Sequence, residues 1–534
     1  MTLRPNVPHG DMVVILDFGS QTTQLIARRV REAGVYCEIV PFHRSLEAIA
    51  ALRPRGIILS GSPCSVYDDG APTPAPGIFE LGVPVLGICY GMQIMTRLHG
   101  GTVLGSDHRE FGRATIQVSE AVGPFSGLAA GASETVWMSH GDRLTALPPG
   151  FRLIATAPAA APGAPPVPAA IAHESRPWFG LQFHPEVVHT PNGGEYLRRF
   201  LFDVCGVQPG WTAKSFAATA IASLRERIGE RHVLCGLSGG VDSAVVALLL
   251  HHAIGPRLHC VFVDNGLLRH GEVAEVEAAF GPAGLGLDLT TVDASDAFFE
   301  ALAGVTDPEV KRKRIGHVFI EVFERAAKEL TARHGGAIHY LAQGTLYPDV
   351  VESVSVRGGP SATIKSHHNV GGLPERLGFE LVEPLRELFK DEVRAVGREL
   401  GLPAVLVERK PFPGPGIAVR ILGEVTREDV EINRKADRIV REVLAAQPWQ
   451  AEVWQAFAVL LPVRSVGVMG DGRTYDRVIA IRAVSSTDGM TADFYPIPYD
   501  VLGLMSTRII NEVRGISRVV YDVSSKPPAT IEWE

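Results

Sequence analysis

The sequence predicts a multidomain α/β protein, and three observations lead there. At 534 residues the chain exceeds what one hydrophobic core ordinarily supports. Much of it consists of short, apolar, β-branched runs separated by helix-like or Pro/Gly-rich stretches, the pattern of parallel strands joined by crossover helices. That pattern also stops and restarts at two Pro/Gly breaks. DMVVILDFGS, YCEIVPF, RGIILSGSP and VPVLGICYG supply the strands of a first α/β domain, residues 1–207. After FDVCGVQPGWT, at 202–212, a second α/β cycle begins: a helical stretch, the strand HVLCGLS, a helix from Ser243 and the strand LHCVFVDNG, within 208–408. RKPFPGPGIAVR, at 409–420, opens a smaller α+β domain over 409–534, whose strands include DRVIAIRAV and SRVVYDV.

Composition narrows the function classes. Hydrophobic residues make up 46% and charged residues 21%, ordinary for a soluble globular chain. A net charge of −8 gives no broad electrostatic reason to bind nucleic acid or a membrane surface, so neither is expected as a partner and any phosphate site must be local. The six cysteines, at 37, 64, 89, 205, 235 and 260, have no CxxC spacing, which fits a reducing, cytoplasmic compartment. The N-terminal stretch lacks the apolar centre of a signal peptide. The one long uncharged run, residues 153–172, contains five prolines, so it reads as an extended low-complexity loop and not as a membrane helix.

Two stretches carry the chemistry of the first domain. In GICYG, Cys89 lies between glycines after an apolar strand and before a helix-like segment. Such a turn exposes a nucleophile, and the helix N-terminus favours its thiolate. In GLQFHPEV, beginning at Gly180, His184 and Glu186 are two residues apart; in an extended segment both would face the same side, as a base and its orienting carboxylate. Taken singly, the first is equally well a buried structural cysteine and the second is better read as a surface loop; together they make a nucleophile, base and orienter. With LSGSP and the opening ILDFGSQTTQLIARRVRE, these motifs resemble the class I glutamine amidotransferases. The resemblance implies glutamine hydrolysis through a cysteinyl thioester, with Cys89, His184 and Glu186 catalytic and an oxyanion hole formed by the backbone of Tyr90 and of Gly61 and Ser62. The family usually carries two consecutive glycines in that loop; Ser62 here gives up the backbone freedom of the second.

In the second domain, GLSGGVDSAV follows a strand and opens a helix, the setting of a phosphate-binding loop, but lacks the Gly-Lys-Ser/Thr ending of a Walker loop. SGGVDS resembles the pyrophosphate loop of N-type ATP pyrophosphatases, and VFVDNG their second strand. The resemblance implies an adenine-nucleotide α-hydrolase-like fold that binds ATP through Ser238, Gly239, Gly240, Val241, Asp242, Ser243 and Val263, with Asp242 reaching Mg²⁺. Farther along, IKSHHN reads as a cationic lid over phosphates: Lys365, Ser366, His367, His368 and Asn369, with Asp349 and Glu352 holding Mg²⁺ or orienting the lysine. Zinc at the paired histidines is not expected, because neighbouring side chains diverge and no third ligand is suitably spaced. KRKR, at 311–314, reads as a solvated helix face from which one arginine reaches a nucleotide.

The C-terminal KPPATIEWE, with IKSHHNVGGLPE, PFPGPG and LPVRSVGVMGDGRTYD, resembles the glutamine-hydrolysing GMP synthase family over essentially the whole chain. This implies a carbon–nitrogen ligase with glutamine, XMP and ATP as substrates, Mg²⁺ accompanying ATP, and Arg312, Lys526, Ile531 and Glu532 contacting XMP. It further implies a homodimer formed through the C-terminal dimerisation domain. Another amidotransferase of the same pyrophosphatase class, for NAD synthesis or tRNA modification, is the alternative.

Overall fold

The structure, a computed structural model, describes residues 10–158, 166–353, 378–469, 472–486 and 491–534. These fall into two compact units: 10–219 with the short helix Tyr347–Ser353, and 220–346 with 378–534.

In the first unit, nine strands form one sheet: β1 (Met12–Asp17), β2 (Tyr36–Pro41), β3 (Gly56–Leu59), β4 (Val85–Ile88), β5 (Thr102–Val118), β6 (Ser133–Ala146), β7 (Phe151–Ala157), β8 (Val167–His173) and β9 (Trp178–Leu181). The order is β2-β1-β3-β4-β9-β8-β7-β5-β6. From β2 to β9 neighbours run parallel, and from β9 to β6 antiparallel. Every residue of β1, β3, β4 and β9 is buried, as expected of central parallel strands covered on both faces. The expected loop at 153–172 is corrected in its flanks. Residues on either side of the undescribed 159–165 form the antiparallel pair β7–β8, because the alanines and isoleucines there pack into the sheet and Pro168 sits near a strand start.

In the second unit, β10 (His232–Leu237), β11 (Leu258–Asp264), β12 (Asp288–Asp293), β13 (Ile338–Ala342) and β14 (Glu380–Val382) form a parallel sheet in the order β12-β11-β10-β13-β14. A second sheet pairs β15 (Gln455–Met469) with β16 (Gly472–Ser485), which is flanked by β17 (Asp493–Phe494) and β18 (Ile516–Tyr521). One buried core runs from Leu234 and Phe323 through Ile417 and Ile421 to Ile439, Ile479 and Ile509. The Pro/Gly stretch at 409–420 therefore marks a change of composition without a break in packing; the Ile417 amide donates to the Leu267 carbonyl at 2.8 Å.

Among the described residues, no helix is long and apolar enough to cross a membrane.

Candidate active sites

The nucleophile turn of the first unit is built by close approach. Cys89 caps the helix Tyr90–Leu98 with φ 52° and ψ −108°, a conformation that costs a non-glycine residue strain. Glycines on both sides make it attainable: a Cβ on Gly87 would lie 2.6 Å from Gly91 backbone atoms, and one on Gly91 would lie 2.2 Å from the Leu59 carbonyl of β3. The Cys89 amide is anchored on Leu181 O at 2.7 Å, and the Tyr90 amide opens the helix, where amides have no intrahelical acceptor. Gly61 faces the same place, since a Cβ there would come 3.5 Å from His184 Cε1. Ser62 does not adopt a positive φ, so this turn does not need the freedom of a second glycine.

His184 and Glu186 meet as expected, with Nδ1 and Oε1 2.7 Å apart and both side chains buried. The local geometry differs from the expectation: β9 ends at Leu181, and a turn through Pro185 brings the pair together where strand alternation was expected to do so. Backbone anchors hold that turn. The His184 amide donates to Trp137 O at 3.0 Å, Thr190 Oγ1 to His184 O at 2.7 Å, and Arg29 Nε to Glu186 O at 3.1 Å. Burial alone would lower the His184 pKa; the Glu186 carboxylate and the Cys89 sulfur outweigh it and hold the imidazole well above its ordinary value. The arrangement favours a protonated imidazole beside the Cys89 sulfur.

Sequence reasoning missed what surrounds the sulfur. Cys89 Sγ lies 3.7 Å from Ser139 O and 4.0 Å from Gln182 Nε2, and the helix's Gln93 donates to Asp142 O at 3.0 Å. His140 is buried 3.5 Å from Glu110, and burial, aided by the charge of His184, pushes its pKa down to about 4. The signal was present in SHGD, a polar run in an otherwise alternating strand.

In the second unit, the phosphate-type loop joins β10 to the helix Val241–Ile254, which starts two residues before the expected Ser243. The Ser238 amide donates to Ser243 Oγ at 3.2 Å, and the two hydroxyls lie 3.1 Å apart. Gly239 takes φ 72°, and its carbonyl accepts from Arg409 Nη1 at 2.7 Å; Arg409 also pairs with buried Glu272. Gly240 caps the helix, Val241 is buried in its first turn, and Val263 is buried in β11. Asp242 is paired with Lys390 through Oδ2, while its buried Oδ1 finds no hydrogen-bond partner among the described residues. One free carboxylate oxygen beside a phosphate loop fits Mg²⁺, which binds through one or two carboxylates plus substrate phosphates.

Lys365, Ser366, His367, His368 and Asn369 lie outside the described residues. Asp349 is half-buried in the helix Tyr347–Ser353; Glu352 belongs to the same helix, with only its backbone described.

The C-terminal segment is held by two fully buried arginines. Arg482 donates to the carbonyls of Ser524, Thr530 and Ile531. Arg420 grips Glu532 through two hydrogen bonds of 2.8 and 3.0 Å, and Gln455 adds a third at 2.8 Å. Ile531 is buried, and Lys526 is half-buried on a bridge to Ala492. The solvated KRKR face is corrected at Lys311, which is fully buried and pairs with Glu534; burial lowers its pKa against the pull of that carboxylate. Arg312 contacts the Glu534 backbone carbonyl.

The glutamine amidotransferase class-I family matches residues 14–204, and the GMP synthase C-terminal domain family matches 442–533. The chain is 58% identical over 525 residues to the glutamine-hydrolysing GMP synthase of Rhodopseudomonas palustris, covering 98% of this chain and 95% of that protein. It is 58% identical over 526 residues to the same enzyme of Zymomonas mobilis subsp. mobilis, covering 98% of each. Against that of Rhizobium etli it is 57% identical over 527 residues, covering 98% and 99%. Relatedness of this extent spans the elbow cysteine, the phosphate-type loop and the arginine-held C-terminal segment alike, so the chain belongs to the glutamine-hydrolysing GMP synthase family.

Proposed function

We propose that this chain converts XMP to GMP with ATP and glutamine, through an adenylyl-XMP intermediate, and that residues 1–207, 208–408 and 409–534 divide the work. The observation that carries the reading is a Cys89–His184–Glu186 triad in one unit and a glycine-rich, serine-lined loop at a helix start in the other. At the first site the Cys89 thiolate attacks the glutamine amide carbon, and the oxyanion is met by the Tyr90 amide and the Gly61–Ser62 backbone. His184 passes its proton to the departing ammonia, Glu186 keeps the imidazole oriented, and water then cleaves the thioester.

At the second site Ser238, Gly239, Gly240, Val241 and Ser243 bind the ATP phosphates, and Val263 lies along the adenosine. Asp242 would hold Mg²⁺ through the oxygen that has no hydrogen-bond partner among the described residues, and the ion would supply positive charge to the phosphates. Lys365 stabilises charge developing on the α-phosphoryl group as the XMP oxygen displaces pyrophosphate, with Ser366, His367, His368, Asn369, Asp349 and Glu352 supporting the lid. Lys526 matches the XMP phosphate, and Arg312, Ile531 and Glu532 complete its pocket. Ammonia then displaces AMP.

A homodimer through the C-terminal domain is supported by Val466 and Tyr475, cross-strand neighbours that are both more than half exposed, with Val468 beside them. Six free cysteines accord with a cytoplasmic location. The test is XMP-dependent AMP formation in Cys89→Ala. Synthesis from glutamine should vanish while synthesis from ammonium stays within about twofold; equal loss with both nitrogen sources would make Cys89 structural.

A further inference from the structure

A cluster of three imidazoles lies at the far end of the parallel sheet of the second unit, apart from the chemistry proposed above. His232 opens β10, His259 is the second residue of β11, and His334 caps the helix Pro308–Arg333. The phosphate-type loop leaves the other end of β10, so a strand of six residues, about 20 Å long, separates the two places. One nitrogen from each ring falls within a sphere where all three are at most 4.8 Å apart. His232 Nδ1 and His259 Nε2 are 2.8 Å apart, and the rings of His259 and His334 meet at a tilt of 32° with centroids 4.0 Å apart.

The proton arrangement sets a ligand up. Asp288 Oδ2 lies 2.5 Å from His259 Nδ1, so that nitrogen carries the hydrogen and the Nε2 lone pair is directed at His232. A carboxylate behind a ligating histidine is the usual way such a ring is oriented and its basicity raised. The negative end of the helix dipole reaches His334. Two arginines bear on the cluster, Arg333 beside His334 and Arg257, which is paired with Glu230.

We propose that His232, His259 and His334 bind one divalent late transition-metal cation of the zinc class, with Asp288 orienting His259 and water filling the fourth position. Nitrogen-only ligation selects this class over Mg²⁺, which requires oxygen donors. Two tetrahedral ligands at about 2.0–2.1 Å from zinc stand about 3.3 Å apart, so His232 and His259 need separate by only about half an ångström. The bound ion ties the starts of two strands to the end of a long helix, a structural role remote from the nucleotide.

The test is zinc binding to the full-length, chelator-stripped protein, followed by calorimetry. One ion per chain is expected. Asp288→Asn, a half-exposed carboxylate whose loss leaves the ligands intact, should weaken binding about 10- to 100-fold, and His334→Gln by more. Cobalt in the unmutated protein should give the visible band of a tetrahedral nitrogen site without a thiolate charge-transfer band, a readout that needs no variant to fold. No stoichiometric binding, unchanged affinity in both variants, or a thiolate band from one of the free cysteines would each overturn the site.

Discussion

His184 shows how one buried pair sets the chemistry of the first site. Its imidazole is desolvated, which by itself favours the neutral ring, yet Glu186 and the sulfur hold it charged. Removing the carboxylate charge leaves the sulfur alone to oppose burial, so Glu186→Gln should move the His184 titration to lower pH, as read by NMR. Glutaminase turnover should fall, but less than in His184→Ala, where loss of a positioned base typically costs about 10² to 10⁴; the reverse ranking would exchange the assigned roles. The sign for stability follows from the raised folded value. The pair's contribution is complete below pH 6.5, the imidazole's ordinary value, and fades as pH rises through the folded pKa. The types and spacing of Cys89, His184 and Glu186 were legible in the chain. The run SHGD marked His140 as a polar residue, but not that its ring is buried and neutral, because its depressed pKa arises from desolvation in the folded chain.

At the scale of elements, the strand–turn–helix from β4 into Tyr90–Leu98 is the device that presents the thiol. GICYG revealed the turn, since only small residues allow such a reversal. What the glycines approach, however, is set by β3: a Cβ on Gly91 would strike the Leu59 carbonyl. Gly91→Ala should push the helix off the sheet at a cost of about 1–3 kcal/mol. Because Cys89 caps that helix, glutamine-driven synthesis should fall at least tenfold while ammonium-driven synthesis persists; both rates together decide it. The same logic explains the turn at Pro185. The two-residue spacing of His184 and Glu186 suggested a strand, but contacts from Trp137, Thr190 and Arg29 shape the backbone there instead.

For the whole molecule, two chemically distinct sites on one chain require that defects separate by nitrogen source. Lys365→Ala, aimed at the adenylation step, should lower AMP and pyrophosphate formation by about 10² to 10³ with glutamine and with ammonium alike, leaving ATP affinity nearly unchanged. Normal turnover with ammonium would remove Lys365 from that step. The sequence by itself determined the α/β class, the amidotransferase motifs and the phosphate-type loop, because these depend on local spacing: periodic apolar runs, glycines at turns, and a nucleophile at a helix start. Tertiary structure alone decided which carboxylate Arg420 grips, that Lys311 is buried against Glu534 where its run of charges suggested solvent, and that a single core continues across the Pro/Gly stretch at 409–420. It alone also gathered His232, His259 and His334 from positions 27 and 75 residues apart along the chain. Pairings over such separations are fixed by the packing of sheets and helices, and no local pattern in the chain encodes them.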